Sequence, residues 1–425
     1  MAWTRRFLLK TGGLTALAGC AGSASDPAGD SDSSAPEAPR GAHALSKPPW
    51  VHHTGAGEAV LRFETREVGD IPVTLSDGDR TWDAVPTQRE DELTFNRPTG
   101  QREDLLPDEP GLHVLHEVKI EGVAPGSVVA WRVYAEDTVH EGAFRVPDPS
   151  AGFRIGWLSD TMWPNTDATV EKLAAEAPDV VLHGGDIEYE DNPFDTWNGF
   201  FRSMVPLTSQ AAIHLAVGNH EFEFGGEEIE QMYERMFGGQ GDSGTNRYHA
   251  FTMGRLRIIC LDSETTRIGD PDSPQHAWLG EQLAAADADA NLAGSLIYFH
   301  RPVFSLSKHF PGSTAARDAL HELVTSHKVN LVMVGHAHAF EHFLVDGVHY
   351  VVDGGAGALL YDPDERMARA AEERPEDIER RQFATRTYGA SVIDVAADGS
   401  MRFRRIAAED GSEQYAFDIE APTLE

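Results

Sequence analysis

From residue 153 onward the sequence alternates short apolar segments with segments whose apolar residues recur at helical spacing. Phe153–Leu158, Val180–His183 and residues 295–299 have the length and composition of buried strands. Residues 275–286 place apolar side chains on one helical face. Alternating strands and helices predict an α/β domain, in which a binding site forms just past the carboxyl ends of the strands.

Seven residues at or near such positions carry side chains that bind metal ions. In chain order they are Asp160, Asp186, Tyr189, Asn219, His300, His336 and His338. Two cations about 3.5–4 Å apart can hold a phosphoryl group between them and turn bound water into hydroxide. Such a site needs a bridging carboxylate, neutral imidazoles and hard oxygen ligands, with one position left for water. The ordered set therefore predicts a two-metal site, although no single Asp or His would.

Acidic residues outnumber basic residues by 69 to 35, which gives a formal net charge of -34. The excess is spread along the chain, and only six of the basic residues are Lys. Because phosphate backbones are bound by Lys and Arg, this composition disfavours a nucleic-acid-binding surface. A dispersed acidic surface with few lysines is typical of a halophilic protein, since salt screens the repulsion. An ordinary acidic secreted protein is the alternative.

Residues 1–20 have the features of an export signal. The pair Arg5-Arg6 resembles a twin-arginine signal, and the apolar stretch after it is too short to span a bilayer. Residues 17–20 resemble a lipobox, in which Cys20 is lipidated and becomes the mature amino terminus. We therefore predict export by the twin-arginine route and a lipid anchor on the outer face of the cell membrane. A chance cysteine behind an ordinary signal is the alternative.

The rest of the chain divides by composition. Residues 21–49 are rich in Ser, Asp, Ala, Pro and Gly, which predicts a disordered tether. Short alternating segments in residues 50–148 predict a small β-sandwich, with long loops in residues 80–106. Residues 149–410 form the predicted catalytic domain and residues 411–425 a tail. The scattered histidines of the sandwich are interpreted as surface or packing residues: His52, His53, His113, His116 and His140.

Two smaller features complete this division. Residues 364–381 are charged and are expected to form a surface helix or an insertion, interrupted at Pro375. Cys260 lies in an apolar segment and is predicted to be a buried strand residue. With Cys20 lipidated it has no partner, so we predict no disulfide.

Short motifs surround the candidate ligands. They are Gly185-Asp186-Ile187-Glu188-Tyr189, Gly218-Asn219-His220-Glu221, His300-Arg301-Pro302 and Gly335-His336-Ala337-His338. With these motifs, residues 50–406 resemble the metallophosphoesterase superfamily and, within it, the purple acid phosphatase branch. Only that branch adds a Tyr three residues after the bridging Asp. The resemblance implies a four-layer α/β/β/α domain, preceded by a small all-β fibronectin III-like sandwich.

The resemblance also implies which residues bind each metal ion. The implied sets are Asp160, Tyr189 and His338 for the first ion, Asn219, His300 and His336 for the second, and Asp186 as the bridge. A tyrosinate is a hard donor that favours a trivalent ion, so the Tyr189 site would hold Fe(III). The second site would hold Zn, Fe or Mn. His220 is implied to face the substrate phosphate, where it donates a hydrogen bond or protonates the leaving oxygen.

The sequence departs from the family pattern in three places. Met162 stands where the purple branch usually has Gly. His342 stands where the last motif usually ends in Arg, and Phe340 replaces a frequent Tyr. Trp163 and Asn165 lie in a loop that is not typical of the family, and we take them as candidate substrate contacts. The alternative for Trp163 is simple packing.

His309, in the loop after His300, is a third candidate substrate contact, and a surface position is its alternative. Three residues are expected to be structural: His183, His214 and His249.

The functional hypothesis is a two-metal phosphoric ester hydrolase that acts outside the cell by metal-hydroxide attack on phosphorus. A phosphomonoesterase with a small phosphorylated substrate is the leading version. A phosphodiesterase or nucleotide hydrolase on the same scaffold is the first alternative. A surface-anchored binding protein with a vestigial metal site is the second. No obligatory protein partner is evident, and the membrane is contacted only through the lipid anchor.

Overall fold

The computed structural model describes residues 40–55, 57–93, 111–136, 138–187, 193–222, 226–240, 247–264, 268–309 and 314–421. The predicted signal with Cys20 and most of the predicted tether lie outside the described residues, and so does Tyr189. Within the described ranges, no helix has both the length and the apolar character needed to cross a membrane.

Eight described antiparallel strands form the predicted β-sandwich. They are β1 (Leu45–Gly55), β2 (Glu58–Thr65), β3 (Val73–Ser76), β4 (Thr81–Ala84), β5 (Thr87–Leu93), β6 (Gly111–Ile120), β7 (Val128–Tyr134) and β8 (Val139–Arg145). One sheet has the order β1-β2-β6-β5 and the other has the order β4-β3-β7-β8. Apolar residues of both sheets, including Leu61, Phe63, Val73 and Leu75, share one buried cluster.

The sandwich starts earlier and holds more strands than the sequence predicts. β1 begins at Leu45, inside residues 21–49, for which we predict a tether. The sequence does not predict this part of the strand, because prolines such as Pro48 and Pro49 are rare within strands. β4 and β5 lie in residues 80–106, where we expected loops. Their side chains are exposed or half-buried on both faces, so these strands lack the apolar alternation that marks a strand.

Two larger sheets form the α/β part of the chain. Their strands are β9 (Phe153–Leu158), β10 (Val180–His183), β11 (Ala212–Leu215), β12 (His249–Met253), β13 (Leu256–Cys260), β14 (Gly294–Phe299), β15 (Val329–Val334), β16 (Phe340–Val345), β17 (Val348–Asp353), β18 (Arg381–Thr385), β19 (Gly389–Val395), β20 (Met401–Ala407) and β21 (Glu413–Ile419). The first sheet has the order β11-β10-β9-β19-β20-β21 and the second the order β12-β13-β14-β15-β17-β16-β18. Cys260 is a buried free thiol in β13.

Helices cover the outer faces of both sheets. They are α1 (Thr166–Ala175), α2 (Pro193–Thr208), α3 (Asn219–Phe222), α4 (Gly226–Phe237), α5 (Pro274–Ala288), α6 (Thr314–Thr325), α7 (Met367–Glu373) and α8 (Pro375–Arg380). α1, α2 and α4 share a core with the first sheet, and α5, α6 and α7 share one with the second. In β10, Val181 belongs to the helix-side core, whereas Val180 and Leu182 belong to the core between the sheets. This arrangement confirms the predicted four layers.

The carboxyl-terminal residues extend the first sheet. β21 pairs antiparallel with β20, although we expected a tail after residue 410. Most of its side chains are only half-buried, so its pattern does not stand out in the sequence. Residues 364–381 contain the short helices α7 and α8, which the buried pair of Arg317 and Asp377 ties to α6.

A buried ion cluster joins the sandwich to helix α4. Glu64 of β2 is fully buried and pairs with Lys47, with His113 and with Arg235 of α4. The Arg235 guanidinium also binds Asp91 of β5, at 2.7 Å. Burial alone would raise the pKa of Glu64, but the cations around it hold that pKa well below the usual range. The cluster therefore ties the sandwich to the helix that follows the Gly218-Asn219-His220-Glu221 motif.

Four histidines are buried where the sandwich meets the α/β part. His52 and His53 come from β1, His214 from β11 and His249 from β12. The His214 ring lies within 6.2 Å of the other three ring centroids. Burial lowers the pKa of all four, to about 4 for His53 and about 3 for His249. These side chains are packing residues, and they stay neutral in the folded protein.

Candidate metal centre

The candidate ligands lie just past the carboxyl ends of neighbouring strands. Asp160 follows β9, Asp186 follows β10 and Asn219 follows β11, and these three strands run parallel. His300 follows β14 and His336 follows β15 in the second sheet, and these two strands are also parallel. Since parallel strands end at the same edge, the two sheets bring their loops together there.

Two groups of side chains converge closely enough to hold a metal ion. One group is Asp160, Asp186 and His338, and the other is Asp186, His300 and His336. Within each group the ligand atoms lie within 4.8 Å of one another, and all five residues are buried. The two groups share Asp186. The Asp186 carboxylate, which the resemblance implies as the bridge, therefore lies between the two sets of ligands.

Hydrogen bonds orient the imidazoles at this centre. The Nδ1 of His300 donates to the Gly184 carbonyl at 2.8 Å, and the Nδ1 of His338 donates to the Leu359 carbonyl at 2.9 Å. A neutral imidazole whose Nδ1 donates carries its lone pair on Nε2, which is the atom that would bind a metal. The Nε2 of His300 lies 3.0 Å from the Asn219 Oδ1, which places the amide oxygen in the second group.

The electrostatics of the centre favour cations. Burial opposes ionisation of Asp186, but His300 and His220 hold its pKa below the usual range. Burial would likewise lower the pKa of His300, yet the carboxylates of Asp186, Asp160 and Glu264 raise it to about 10. These carboxylates lie within a site from which water is largely excluded, so they attract positive charge strongly.

The backbone at the centre is held in an unusual conformation. Asp160, Asp186 and His336 have φ values of 60°, 53° and 66°, in the left-handed region that residues other than glycine rarely adopt. Such strain persists only where the surroundings enforce it, and it is concentrated at functional sites. Glycine is required beside two of these residues, because a side chain on Gly218 would collide with Asp186 and one on Gly335 with Asp160.

Comparison with known proteins agrees with this geometry. Residues 153–340 match the calcineurin-like phosphoesterase family. They form a calcineurin-like phosphoesterase domain. The match covers β9 to the start of β16, and it includes all six described candidate ligands.

Curated proteins match a little over half of the chain at identities below 30%. It is 28% identical over 240 residues to purple acid phosphatase 22 of Arabidopsis thaliana, and the match covers 54% of each protein. It is 22% identical over 290 residues to a nucleotide pyrophosphatase/phosphodiesterase of Hordeum vulgare, covering 60% of this chain and 74% of that protein. The chain spans about half the length of the first of these relatives.

A solved structure shows the same fold. The purple acid phosphatase PPD1 from yellow lupin superposes with a TM-score of 0.70 at 17% identity, over 88% of this chain and 74% of that one. The sequence matches and this shared fold together confirm the resemblance to purple acid phosphatases that the motifs indicate.

The phosphoesterase domain contains one important residue to which the sequence analysis gave no role. Glu221 is fully buried beside the centre, and its carboxylate accepts the backbone N–H groups of Asp186, Ile187 and Gly218 at 2.7–2.9 Å. It therefore holds the loops after β10 and β11 together. Burial and the nearby Asp186 charge raise its pKa to about 8. The available signal was its position at the end of the Gly218-Asn219-His220-Glu221 motif.

The structure places His220 and His309 beside the centre. The Nε2 of His220 lies 3.9 Å from the Asp186 Oδ2, and its side chain is 24% exposed. The His309 ring lies 4.0 Å from the His336 ring, centroid to centroid, so it is not an isolated surface histidine. Both side chains are half-buried and lie against candidate ligands.

The other two candidate substrate contacts, Trp163 and Asn165, have partners within the protein. One face of the Trp163 indole is covered by the Arg202 guanidinium at 3.9 Å. The Asn165 amide donates to the Gly357 carbonyl at 3.2 Å, and its side chain is exposed. A substrate role for these two residues stays a prediction.

The two departures in the last motif have structural roles. Phe340 is buried between the sheets. His342 forms hydrogen bonds with His349 and with the Tyr415 hydroxyl, and its ring stacks on Phe417 at 4.0 Å. His342 therefore joins β16 and β17 to the edge strand β21.

Proposed function

We propose that the chain is a two-metal phosphoric ester hydrolase, and that a phosphomonoester is its preferred substrate. The observation that carries this proposal is the pair of buried ligand groups that share Asp186. A vestigial site would have lost a ligand, whereas all six described candidates follow the carboxyl ends of strands in the two sheets. The similarity of residues 153–340 to phosphoesterases supports the same reaction.

The donor set fits two cations of different kinds. In the proposed assignment the first ion is held by Asp160, His338 and Tyr189, the second by Asn219, His300 and His336, and both by Asp186. One group offers mainly oxygen donors, and the other offers two imidazoles and an amide oxygen. Bound there, the cations would supply Lewis acidity and lower the pKa of the attacking water.

The chain's own residues would orient the substrate and move a proton. Burial lowers the pKa of His220, so its imidazole is neutral near pH 7 and carries one N–H. We assign this N–H to the phosphoryl or leaving-group oxygen, because His220 flanks the centre and remains partly exposed. Glu221 holds the Asp186 loop against the Asn219 loop, because it accepts the backbone N–H groups of Asp186 and of Gly218, the residue before Asn219.

The preference between esters can be measured with paired substrates. We expect 4-nitrophenyl phosphate to have a kcat/KM at least about tenfold above that of bis(4-nitrophenyl) phosphate, because a diester leaves fewer oxygens for two cations. Chelation should abolish both activities and added metal should restore them. A reversed preference would favour the phosphodiesterase or nucleotide hydrolase alternative. Metal binding without turnover of any ester would favour the binding-protein alternative.

We further propose that Tyr189 is an iron ligand. Support comes from its place three residues after Asp186 and from the similarity to purple acid phosphatases. A tyrosinate bound to Fe(III) absorbs visible light, so the protein should be coloured and Tyr189→Phe should lose the band. Tyr361→Phe is the matched control, because Tyr361 is also near the centre, and it should keep the colour. An active, colourless protein without iron would refute the iron assignment but not the hydrolase.

The location outside the cell is also a proposal. It rests on Arg5-Arg6 and on the lipobox-like residues 17–20, and it makes Cys20 the anchored residue. The charge of -34 suits a halophilic setting. Under this proposal, residues 21–44 connect the anchor to β1.

A further inference from the structure

A lysine and a tyrosine form one wall beside the proposed centre. The Tyr361 ring stacks on the His338 imidazole at 4.1 Å, with an angle of 13° between the rings. The Lys308 ammonium lies over the same Tyr361 ring, 4.6 Å from its centroid. A single aromatic ring therefore separates this ammonium from a candidate metal ligand, and the Lys308 side chain is exposed to solvent.

Lys308 differs from Arg301, a cation that also lies beside the centre. The Arg301 guanidinium is paired with the Glu264 carboxylate at 2.8–3.1 Å. Among the described residues, no carboxylate forms an ion pair with Lys308. The chain has only six lysines against 69 acidic residues, so Lys308 is a scarce source of positive charge beside the centre.

The wall is held in place by the backbone around it. The Glu341 carboxylate accepts from the Ser305 hydroxyl at 2.6 Å and from the Leu306 N–H at 2.8 Å. On the other side, the Tyr361 N–H donates to the His338 carbonyl at 2.8 Å. Because both segments are fixed before a ligand binds, little ordering is needed at that step.

We propose that Lys308, supported by Tyr361, binds a second anionic group on the substrate. The proposal rests on the hydrolase function above and deepens it. The scissile phosphoryl group would lie at the centre, and a carboxylate or second phosphate on the leaving group would reach the ammonium past the Tyr361 ring. The favoured substrate class is thus a phosphate ester whose leaving group carries its own negative charge.

The test compares two aryl monoesters, phenyl phosphate and 4-carboxyphenyl phosphate, which differ by one carboxylate. For each variant the ratio of their kcat/KM values is measured, so that differences in chemical reactivity cancel. We expect Lys308→Gln to lower the ratio of carboxylated to plain ester by about tenfold, which corresponds to about 1.4 kcal/mol. Lys308→Arg should keep most of the preference because it keeps the charge.

Lys119→Gln is the matched control, since it removes one exposed lysine charge from β6 in the sandwich. It should leave the ratio within about twofold of the wild-type value, because surface charges a Debye length or more away are screened. An unchanged ratio in Lys308→Gln, or an equal fall in Lys119→Gln, would overturn the proposal while leaving the hydrolase intact. A wild-type protein that hydrolyses neither ester with metals present would instead overturn the hydrolase and this proposal together.

Discussion

Asp186→Asn lowers the kcat for an aryl phosphate by about 10³-fold or more. Asp186 is the one side chain common to both ligand groups, so the change removes a negative charge from both proposed cation sites at once. A thousandfold loss corresponds to about 4 kcal/mol of transition-state stabilisation. That is a reasonable cost for losing a ligand shared by two cations. The measurement is steady-state hydrolysis of 4-nitrophenyl phosphate, with bound metal quantified in the same sample.

The fold should survive this substitution. The Asp186 Oδ1 accepts the His220 backbone N–H at 2.8 Å, and the amide oxygen of Asn can accept the same bond. Asp394→Asn is a matched control, because Asp394 is a carboxylate on β19 that pairs with Arg154, away from the centre. It should retain activity within about twofold, as expected for a partly exposed ion pair. An Asp186→Asn protein with normal turnover would remove the shared carboxylate from the mechanism.

Acid should destabilise the folded protein steeply below about pH 6. His52, His53, His214 and His249 are buried and have lowered pKa values, whereas unfolded histidines titrate near pH 6.5. The unfolded chain therefore binds more protons as the pH falls from 6.5 toward 4. The stabilisation that these four histidines contribute is fully present above pH 6.5 and is lost as the pH falls from 6.5 toward 4. Each such proton is worth about 1.4 kcal/mol per pH unit, so four change the free energy of unfolding by up to about 5.6 kcal/mol per unit.

Other buried groups partly oppose this effect. Glu341 has a pKa raised to about 7 by burial, so its contribution is present at low pH and is lost as the pH rises. Glu221, Glu264 and Asp353 also have raised pKa values and act in the same direction. These carboxyls are outnumbered by the histidines whose pKa values burial lowers, because His116, His183, His342 and His349 add to the four of the cluster. Since domains are stable by only about 5–15 kcal/mol, unfolding is expected before pH 4. A protein of this kind would be poorly suited to strongly acidic conditions, whatever the pH optimum of its relatives.

Urea unfolding at fixed high salt, from pH 7.5 to pH 5, measures this dependence. His52→Phe removes one of the four titrating groups and keeps an aromatic ring, so its stability should fall less steeply by about 1.4 kcal/mol per pH unit. The quantity to compare is the slope of the free energy of unfolding against pH, because the substitution also changes packing and so shifts the free energy at every pH. A free energy of unfolding that stays constant between pH 7 and pH 5 would contradict the account of the histidine cluster.

The sequence predicts the strands that carry the centre better than the rest of the fold. β9 and β10 match the predicted bounds because strands buried on both faces are continuous apolar runs. The positions of the candidate ligands are predicted for the same reason, since the end of a strand determines where the next loop begins. β4, β5 and β21 are half-exposed edge or surface strands, and their patterns resemble loops.

Contacts between distant segments are the part that pattern analysis misses. Glu64 and Arg235 form a buried pair although they are 171 residues apart. The histidines of the sandwich look scattered in the sequence, yet two of them meet His214 and His249 in one cluster. Glu221 can hold the loops after β10 and β11 together only because these loops lie side by side. Each of these depends on which surfaces pack together, and no local pattern encodes that.

The most direct test of the central claim is to follow metal content and turnover together in one preparation. The wild-type protein is stripped with a chelator, reloaded with defined metals at high salt, and assayed with 4-nitrophenyl phosphate at each step. We predict about two metal ions per chain, loss of turnover on stripping and its return on reloading. Turnover that persists in metal-free protein, or a protein that binds no metal, would contradict the account.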